Sequence, residues 1–211
     1  MSENEAGSRR MNRESHMAAG ARLRMLTGTA MLSAVAYILM FLEFPIPMII
    51  PSFIKMDFSE LPALIAAFAY GPAAGVMVCL IKNLLHLMNT QSGGIGELSN
   101  FILGASFVVT SGIIYKKIHS KKGAMIGSVT GAVIMGIISV FTNYYIVYPI
   151  YTAFMPLETI INAYKAIFSG VKNLWDCLLI FNLPFTIIKG LCSAGITFLI
   201  YKPLSHILKG N

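Results

Sequence analysis

The residues best suited to chemistry lie on one face of the last apolar segment of the chain. Asn182, Thr186 and Lys189 are separated by four and three residues, which places them on the same side of an α-helix. An ionisable side chain in such a segment is a candidate functional group, because a bilayer makes a buried charge costly. The three residues predict a hydrogen-bonding wall for a ligand. The structural alternative is a lysine that reaches the membrane surface, beside two polar groups that hold helices together.

A second polar insertion lies at Asn143, which Tyr144 and Tyr145 follow and which Tyr148 flanks five residues later. An amide among tyrosines can bond the polar edge of a flat ring while the aromatic side chains stack on its faces. Asn143 and Tyr144 are therefore predicted to bind a ligand. The alternative is an aromatic belt at the membrane surface, and it is the preferred interpretation of Tyr148.

The Pro-rich segment, Leu42 to Pro62, is apolar but cannot form a membrane-spanning helix. Pro45, Pro47 and Pro51 lack a backbone N–H and disfavour helical geometry in the residues before them. Irregular backbone at membrane depth must be covered by protein or line a wet cavity, so we expect an extracellular lid over the end of a helix bundle. An interfacial loop anchored by aromatic residues is the alternative. The segment carries four charged residues, which suit a small organic ligand: Glu43, Lys55, Asp57 and Glu60.

Glu97 and Lys82 are two further charges in apolar surroundings. An acid in the first turn of a helix ordinarily stabilises the helix dipole, so a structural role is expected for Glu97. We also expect Glu97 to pair with Lys82.

The sequence lacks the motifs of common catalytic sites. It contains no His-Glu-x-x-His zinc motif, no Gly-x-Ser-x-Gly nucleophile motif and no phosphate-binding Gly-x-x-x-x-Gly-Lys. The protein is therefore predicted not to be an enzyme and not to hydrolyse ATP itself. Its three cysteines are widely spaced in apolar runs, so we predict no disulfide framework, no metal and no cofactor.

The elements that must position these residues are apolar helices. The chain of 211 residues is 56% hydrophobic and 12% charged, whereas soluble domains carry about 25% charged residues. We therefore predict an all-α integral membrane protein. The net charge of +7 does not indicate nucleic-acid binding, because 11 of the 16 basic residues fall in three short polar segments typical of cytoplasmic loops. These are Arg9, Arg10, Arg13, Arg22 and Arg24; Lys116, Lys117, Lys121 and Lys122; and Lys202 and Lys209.

Gly71-Pro72 decides the number of membrane spans. A kink there gives five spans and places the basic segments on both sides, whereas a tight turn gives six and places them all inside, as the positive-inside rule requires. We therefore predict six transmembrane helices over residues 25–208, a disordered cytoplasmic tail over residues 1–24, and both termini in the cytoplasm. The helix from Phe58 to Tyr70 is too short for a ~30 Å hydrocarbon core and must begin beneath the lid.

Two sets of small residues permit close helix contact. Ala30 and Ala34 lie one turn apart on the first helix, and Gly123, Gly127 and Gly131 lie on the fifth. One set could serve internal packing and the other the approach of a partner.

Several motifs, spread over roughly Leu26 to Leu208, together carry a family resemblance. They are Phe41-Leu-Glu-Phe-Pro-Ile-Pro47, Lys55-Met-Asp-Phe-Ser-Glu-Leu-Pro62, Tyr70-Gly-Pro72, Gly93-Gly-Ile-Gly-Glu97, Asn143-Tyr-Tyr145 and Pro184-Phe-Thr-Ile-Ile-Lys-Gly190. With these motifs the chain resembles the substrate-binding S components of energy-coupling-factor (ECF) vitamin transporters, specifically the riboflavin-binding type.

The resemblance implies a six-helix protein of the bacterial cell membrane with a riboflavin pocket near the outer face, under the first loop. It implies that Glu43, Asn143 and Lys189 contact the ligand. It further implies that Ala30 and Ala34 meet the transmembrane coupling subunit (EcfT type), which works with two cytoplasmic ATPase subunits.

One departure from the family pattern concerns the ligand. Thr186 stands where an asparagine is expected, so one contact to the ring edge is shorter or lost, and Asn182 one turn earlier could compensate. Two alternatives remain open: an S component for another flat vitamin such as thiamine, and a membrane scaffold or sensor without a transport role.

Overall fold

A computed structural model describes the backbone of residues 3–153 and 155–209 and the side chains of residues 17–153 and 155–200. Most of the chain is helical, as expected where a bilayer leaves backbone polar groups no partner outside their own segment. The helices are α1 (Glu3–Phe41), α2 (Glu60–Tyr70), α3 (Pro72–His86), α4 (Ile95–Lys117), α5 (Lys121–Thr142), α6 (Tyr148–Tyr151), α7 (Leu157–Lys165), α8 (Leu174–Cys177) and α9 (Leu183–Lys209). Two short strands are β1 (Phe44–Pro45) and β2 (Lys55–Met56), and a 3₁₀ turn covers Leu87–Asn89.

Five helical segments of the described chain are long and apolar enough to cross a membrane. Helix α2 is also apolar but has only 11 residues. The structure thus agrees with the predicted all-α membrane protein, while a sixth crossing through α2 stays a prediction. The five segments are Met17–Phe41, Pro72–Asn89, Ile95–Lys117, Lys121–Tyr151 and Leu174–Ile200.

The break at Gly71-Pro72 is a tight turn. Helix α2 ends one residue before Gly71 and α3 begins one residue after it, and Gly71 has φ 102°, a left-handed conformation that favours glycine. The two helices then pack side by side, since a Cβ atom added at Gly75 would lie 2.9 Å from the Ala63 carbonyl oxygen. A reversal at this point is the condition on which the six-span prediction depends.

The N-terminal region differs from the predicted disordered tail over residues 1–24. Helix α1 begins at Glu3 and runs without interruption to Phe41. The region is rich in Ala, Arg, Glu and Met, which favour helix, and each residue added to an existing helix gains a hydrogen bond without a new nucleation cost. Residues 1 and 2 lie outside the described part of the chain, and the cytoplasmic location of this region stays a prediction.

Helices α4 and α5 pack closely through two of the glycines. A Cβ atom added at Gly127 would lie 2.8 Å from the Ser111 carbonyl oxygen, and one at Gly131 would lie 2.9 Å from the Phe107 carbonyl oxygen. Gly127 and Gly131 therefore serve internal packing. Ala30 and Ala34, in contrast, are both exposed on α1.

The Pro-rich segment forms a short hairpin. Strands β1 and β2 pair antiparallel within it. Between the strands, Ile50 is fully buried in an apolar cluster that also contains Ile160 and Tyr164 of α7. The Pro-rich segment and α7 therefore cover the same part of the bundle, although action as a lid stays a prediction.

Candidate functional site

A cavity of about 520 Å³ lies between the Pro-rich segment and helices α3, α4, α5 and α9. A concave site of this size, with apolar walls and a few convergent polar groups, suits a small organic ligand. Its polar lining includes Glu43, Lys55, Asp57, Glu60, His86, Gln91, Ser92, Glu97, Ser99, Asn100, Asn143, Asn182, Thr186 and Lys189. Its apolar and aromatic lining includes Met40, Phe53, Ile54, Leu103, Met135, Val147, Tyr148, Tyr151 and Phe185.

The structure brings five of the six predicted ligand-binding residues to this cavity. The five are Glu43, Asn143, Asn182, Thr186 and Lys189. The sixth, Tyr144, is not part of the lining, because its ring stacks on Trp175 with the ring centroids 4.4 Å apart. Tyr148, for which an aromatic belt was the preferred interpretation, lines the cavity and is buried. Tyr148 rather than Tyr144 therefore lines the cavity, and ligand contact by the six predicted residues stays a prediction.

Two π-helical turns position Asn143 and Asn182. One covers Asn143–Val147 and the other covers Leu178–Asn182. Each turn is followed, two residues after its end, by a proline, which has no N–H to bond the carbonyl oxygen four residues earlier. That carbonyl lies inside the π turn in both cases. The missing proline N–H therefore favours the wider turn at both places. Turns of this kind are frequent at functional sites, and here each bears an asparagine that lines the cavity.

The polar groups near these turns leave hydrogen-bonding capacity for a ligand. Asn182 Oδ1 accepts a hydrogen bond from the Tyr164 hydroxyl at 2.6 Å, and that hydroxyl lies 2.5 Å from the hydroxyl of Tyr148. The chain of hydroxyls fixes the Asn182 amide and leaves its NH₂ group to donate. Within the described residues, the buried side chains of Asn143 and Thr186 have no hydrogen-bond partner. A bound ligand would satisfy them.

Lys189 belongs to a network of four buried charges. Its Nζ atom donates to Asp57 at 2.7 Å and lies 3.5 Å from Glu60. Lys82 Nζ donates to Glu60 at 3.0 Å and to the Ser59 hydroxyl at 2.5 Å. Two lysines thus neutralise two carboxylates, which is what an apolar interior requires of buried charges. Any ligand contact made by Lys189 is therefore shared with Asp57.

Asp57 remains ionised in this network. Burial alone raises the pKa of Asp57, but the ammonium groups of Lys189 and Lys82 and the hydrogen bonds from Lys189 and Ser59 lower it more. The pKa of Asp57 consequently lies well below its usual range, and the pair with Lys189 stays charged at neutral pH.

Another part of the lining is built around His86 and Glu97. His86 Nδ1 lies 2.8 Å from Glu97 Oε1, and the hydroxyls of Thr90 and Ser92 donate to Glu97 Oε2 at 2.9 and 3.0 Å. The expected pairing of Glu97 with Lys82 is therefore wrong. Lys82 donates instead to Ser59, Glu60 and Asn100. His86 is the residue that contacts Glu97. Sequence reasoning missed His86, whose signal was a lone imidazole at the end of an apolar helix.

Glu43 forms an ion pair with Lys55 at the rim of the cavity. Lys55 Nζ also donates to Gln91 Oε1 at 3.1 Å. Lys55 of β2 thus connects Glu43, which lies just before β1, to the loop between α3 and α4. Glu43 thus lines the cavity with its charge already partnered.

The chain is similar over most of its length to known membrane transport proteins. The family described as "ECF transporter, substrate-specific component" matches residues 24–201. Riboflavin transporter RibU of Staphylococcus aureus (strain TCH60) is 36% identical over 187 residues, which cover 88% of this chain and 92% of that protein. Riboflavin transporter FmnP of Bacillus subtilis (strain 168) is 33% identical over 188 residues, which cover 87% and 93%.

Solved structures show the same relationship. A structure described as the S component of a bacterial ECF transporter has a TM-score of 0.69 and 34% sequence identity, covering 89% of this chain and 99% of that chain. A structure of ThiT from Listeria monocytogenes has a TM-score of 0.55 at 20% identity, covering 90% and 96%, and shows a shared fold alone. On the family match and the relatives above 30% identity, the chain belongs to the substrate-specific components of ECF transporters, a family of membrane transport proteins.

Proposed function

We propose that this protein binds riboflavin in the cavity at the outer side of the membrane and delivers it inward as the S component of an ATP-driven importer. The observation that carries the proposal is the pair of buried, unpartnered polar side chains, Asn143 and Thr186, beside apolar lining. The names of the relatives support the same ligand, because two that are 36% and 33% identical are riboflavin transporters.

The chemistry of the flavin ring fits these residues. One end of the isoalloxazine ring is apolar and the other has an amide-like edge with donors and acceptors. Asn143, Asn182 and Thr186 offer amide and hydroxyl groups to that edge, and Phe185 and Met135 offer apolar surface beside it. Thr186 therefore takes the place expected of an asparagine in the family pattern, with the Asn182 amide one turn away.

The energy for transport must come from partner subunits, since the chain has no nucleotide-binding motif. In this proposal, both termini face the cytoplasm, and a transmembrane coupling subunit of the EcfT type joins the chain to two cytoplasmic ATPase subunits. The exposed Ala30 and Ala34 offer a small-residue face to the coupling subunit.

A titration with riboflavin tests the ligand. The purified protein should quench the fluorescence of riboflavin in a saturable way with one site per chain. We expect thiamine not to compete, because three of the carboxylates that line the cavity, Glu43, Asp57 and Glu60, already pair with a lysine.

Absence of quenching, or displacement of riboflavin by thiamine at similar concentration, would contradict the proposed ligand. Uptake of labelled riboflavin by cells that carry the coupling and ATPase subunits separates a transporter from a scaffold or sensor. A scaffold would bind the flavin without raising uptake.

A further inference from the structure

We infer that His86, held by Glu97, forms a second polar subsite of the cavity that binds the hydroxyl groups of a polyhydroxylated chain. The inference rests on the proposed function, since riboflavin joins a flat ring to a ribityl chain with four hydroxyls. It concerns the part of the cavity that the predicted residues Asn143, Asn182 and Thr186 do not cover.

The geometry of His86 leaves one ring nitrogen for a ligand. The side chain lines the cavity and is 7% exposed, and its ring packs against Phe41 with the centroids 5.3 Å apart. Its Nδ1 atom is used by Glu97, at 2.8 Å. Its Nε2 atom has no hydrogen-bond partner in the part of the chain that the structure describes. His86 is therefore a fixed ring with one unused polar edge.

Glu97 holds the ring through its other nitrogen. The carboxylate receives hydrogen bonds from Thr90 and Ser92 as well as from the imidazole, so its position is fixed from three directions. An ionised carboxylate only accepts hydrogen bonds, so His86 Nδ1 donates to it and Nε2 remains for a ligand. A hydroxyl group of a ligand suits that nitrogen, because a hydroxyl can both donate and accept a hydrogen bond.

Beyond Glu97, the side chains that line the cavity near His86 are neutral polar groups suited to hydroxyls. We call His86, Gln91, Ser99 and Asn100 the histidine wall; all four line the cavity. The last three carry neutral amides or a hydroxyl, which can donate and accept as an alcohol does. Lys82, which donates to Asn100 at 3.3 Å, is already neutralised by Glu60. The histidine wall therefore has the chemistry to bind a neutral polyol.

The test compares two flavins that differ only in the chain. Lumiflavin keeps the isoalloxazine ring and has a methyl group in place of the ribityl chain. In His86→Asn, the shorter amide can still donate to Glu97 from near the Nδ1 position, but the Nε2 atom is gone. We expect affinity for riboflavin to fall about two- to ten-fold, as for one lost neutral hydrogen bond, and affinity for lumiflavin to stay unchanged.

His119→Asn is the matched control. His119 is exposed beyond the end of α4, contacts the Tyr115 carbonyl oxygen and is not part of the cavity lining. Both flavins should bind this variant as they bind the wild type. Unchanged lumiflavin binding by His86→Asn also reports that the variant has folded.

Three outcomes would overturn the inference or its basis. Equal loss of both flavins by a folded His86→Asn protein, or no loss of either, would overturn the subsite. If His86→Asn does not fold, Ser99→Ala must show the riboflavin-selective loss instead, because it removes a hydroxyl from the histidine wall without exposing a charge. Failure of the wild type to bind either flavin would overturn the proposed function itself.

Discussion

Lys189 and Asp57 are joined by a hydrogen bond of 2.7 Å between side chains that are 11% and 4% exposed. Removing one partner of a buried ion pair leaves an uncompensated charge and costs about 3–5 kcal/mol. We therefore expect Lys189→Ala to lower the thermal stability of the detergent-purified protein as well as its affinity for riboflavin. Thermal unfolding with and without ligand measures both effects.

The double variant Asp57→Asn with Lys189→Gln is the control, because it removes both charges together. It should be more stable than Lys189→Ala. The stability difference between wild type and Asp57→Asn also has a defined pH dependence. Folding lowers the pKa of Asp57. The contribution of Asp57 to the free energy of unfolding is therefore complete above the pKa of an unfolded aspartate, about 4, and declines as the pH falls through the lowered pKa of the folded protein. Equal stability of the single and double variants would contradict the ion-pair argument.

Asn143 gives a different expectation, because its side chain has no hydrogen-bond partner within the described residues. Asn143→Ala should weaken riboflavin binding about two- to ten-fold while the unfolding temperature of the ligand-free protein changes little. Asn162→Ala, an exposed residue of α7 outside the cavity lining, is the matched control and should leave affinity unchanged. A loss of ligand-free stability in Asn143→Ala would indicate a structural role instead.

The sequence predicts some of these residues better than others for physical reasons. Helical spacing is local information, so the shared face of Asn182, Thr186 and Lys189 could be predicted. The pair of Lys189 with Asp57 joins residues 132 positions apart, and no local pattern specifies such a contact. The charged residues of the Pro-rich segment were recognisable only as groups that needed partners, not as the partners of particular lysines.

At the scale of elements, the π turns explain why Tyr148 rather than Tyr144 lines the cavity. A π turn adds one residue to a helical turn, so residues that follow Asn143 do not face the directions that a regular helix gives them. Tyr144 lies against Trp175, and Tyr148 at the end of the turn lines the cavity. The proline two residues after each turn, Pro149 or Pro184, was visible in the sequence, but a proline also permits a simple kink.

The hairpin of the Pro-rich segment depends on the prolines that end α1. Replacing Pro45 and Pro47 with alanine restores two N–H groups and relieves the restriction on the preceding residues, so α1 could continue past Phe41 and the β1–β2 pairing could be lost. We expect weaker riboflavin binding at normal expression, measured by the fluorescence titration.

Pro156→Ala is the matched control, because Pro156 precedes the surface helix α7 and does not line the cavity. This variant should bind riboflavin normally. Unchanged affinity in the Pro45 and Pro47 variant would show that the Pro-rich segment is an interfacial loop with no part in binding.

At the scale of the whole molecule, the predicted six crossings depend on the reversal at Gly71. Helix α4 has 23 residues, or about 35 Å, enough to separate Asn89 from Ser120 by a membrane. Single cysteines at these two positions, in a background where the exposed Cys192 is replaced by alanine, should react with an impermeant reagent from opposite sides. We expect Ser120→Cys to be labelled only from the cytoplasm. Labelling of both positions from one side would contradict the six-helix topology.

The face for the coupling subunit should be separable from the cavity, because exposed small residues and buried polar residues occupy different surfaces. Ala30 and Ala34 are exposed on α1 and absent from the cavity lining. Bulky side chains at small-residue positions block close helix contact in membranes. Ala30→Trp combined with Ala34→Trp should therefore abolish riboflavin uptake in cells while the isolated protein keeps its affinity.

A matched control places the same bulk on another exposed helix face. Val129 and Val133 lie one turn apart on α5 and are 52% and 40% exposed. Val129→Trp combined with Val133→Trp should preserve both uptake and binding if the coupling subunit meets α1 alone. If the alanine variant lost riboflavin binding in the isolated protein, the alanines would serve the bundle itself. If both tryptophan pairs abolished uptake equally, bulk in the membrane rather than a specific face would be responsible, and the partner surface would have to lie elsewhere.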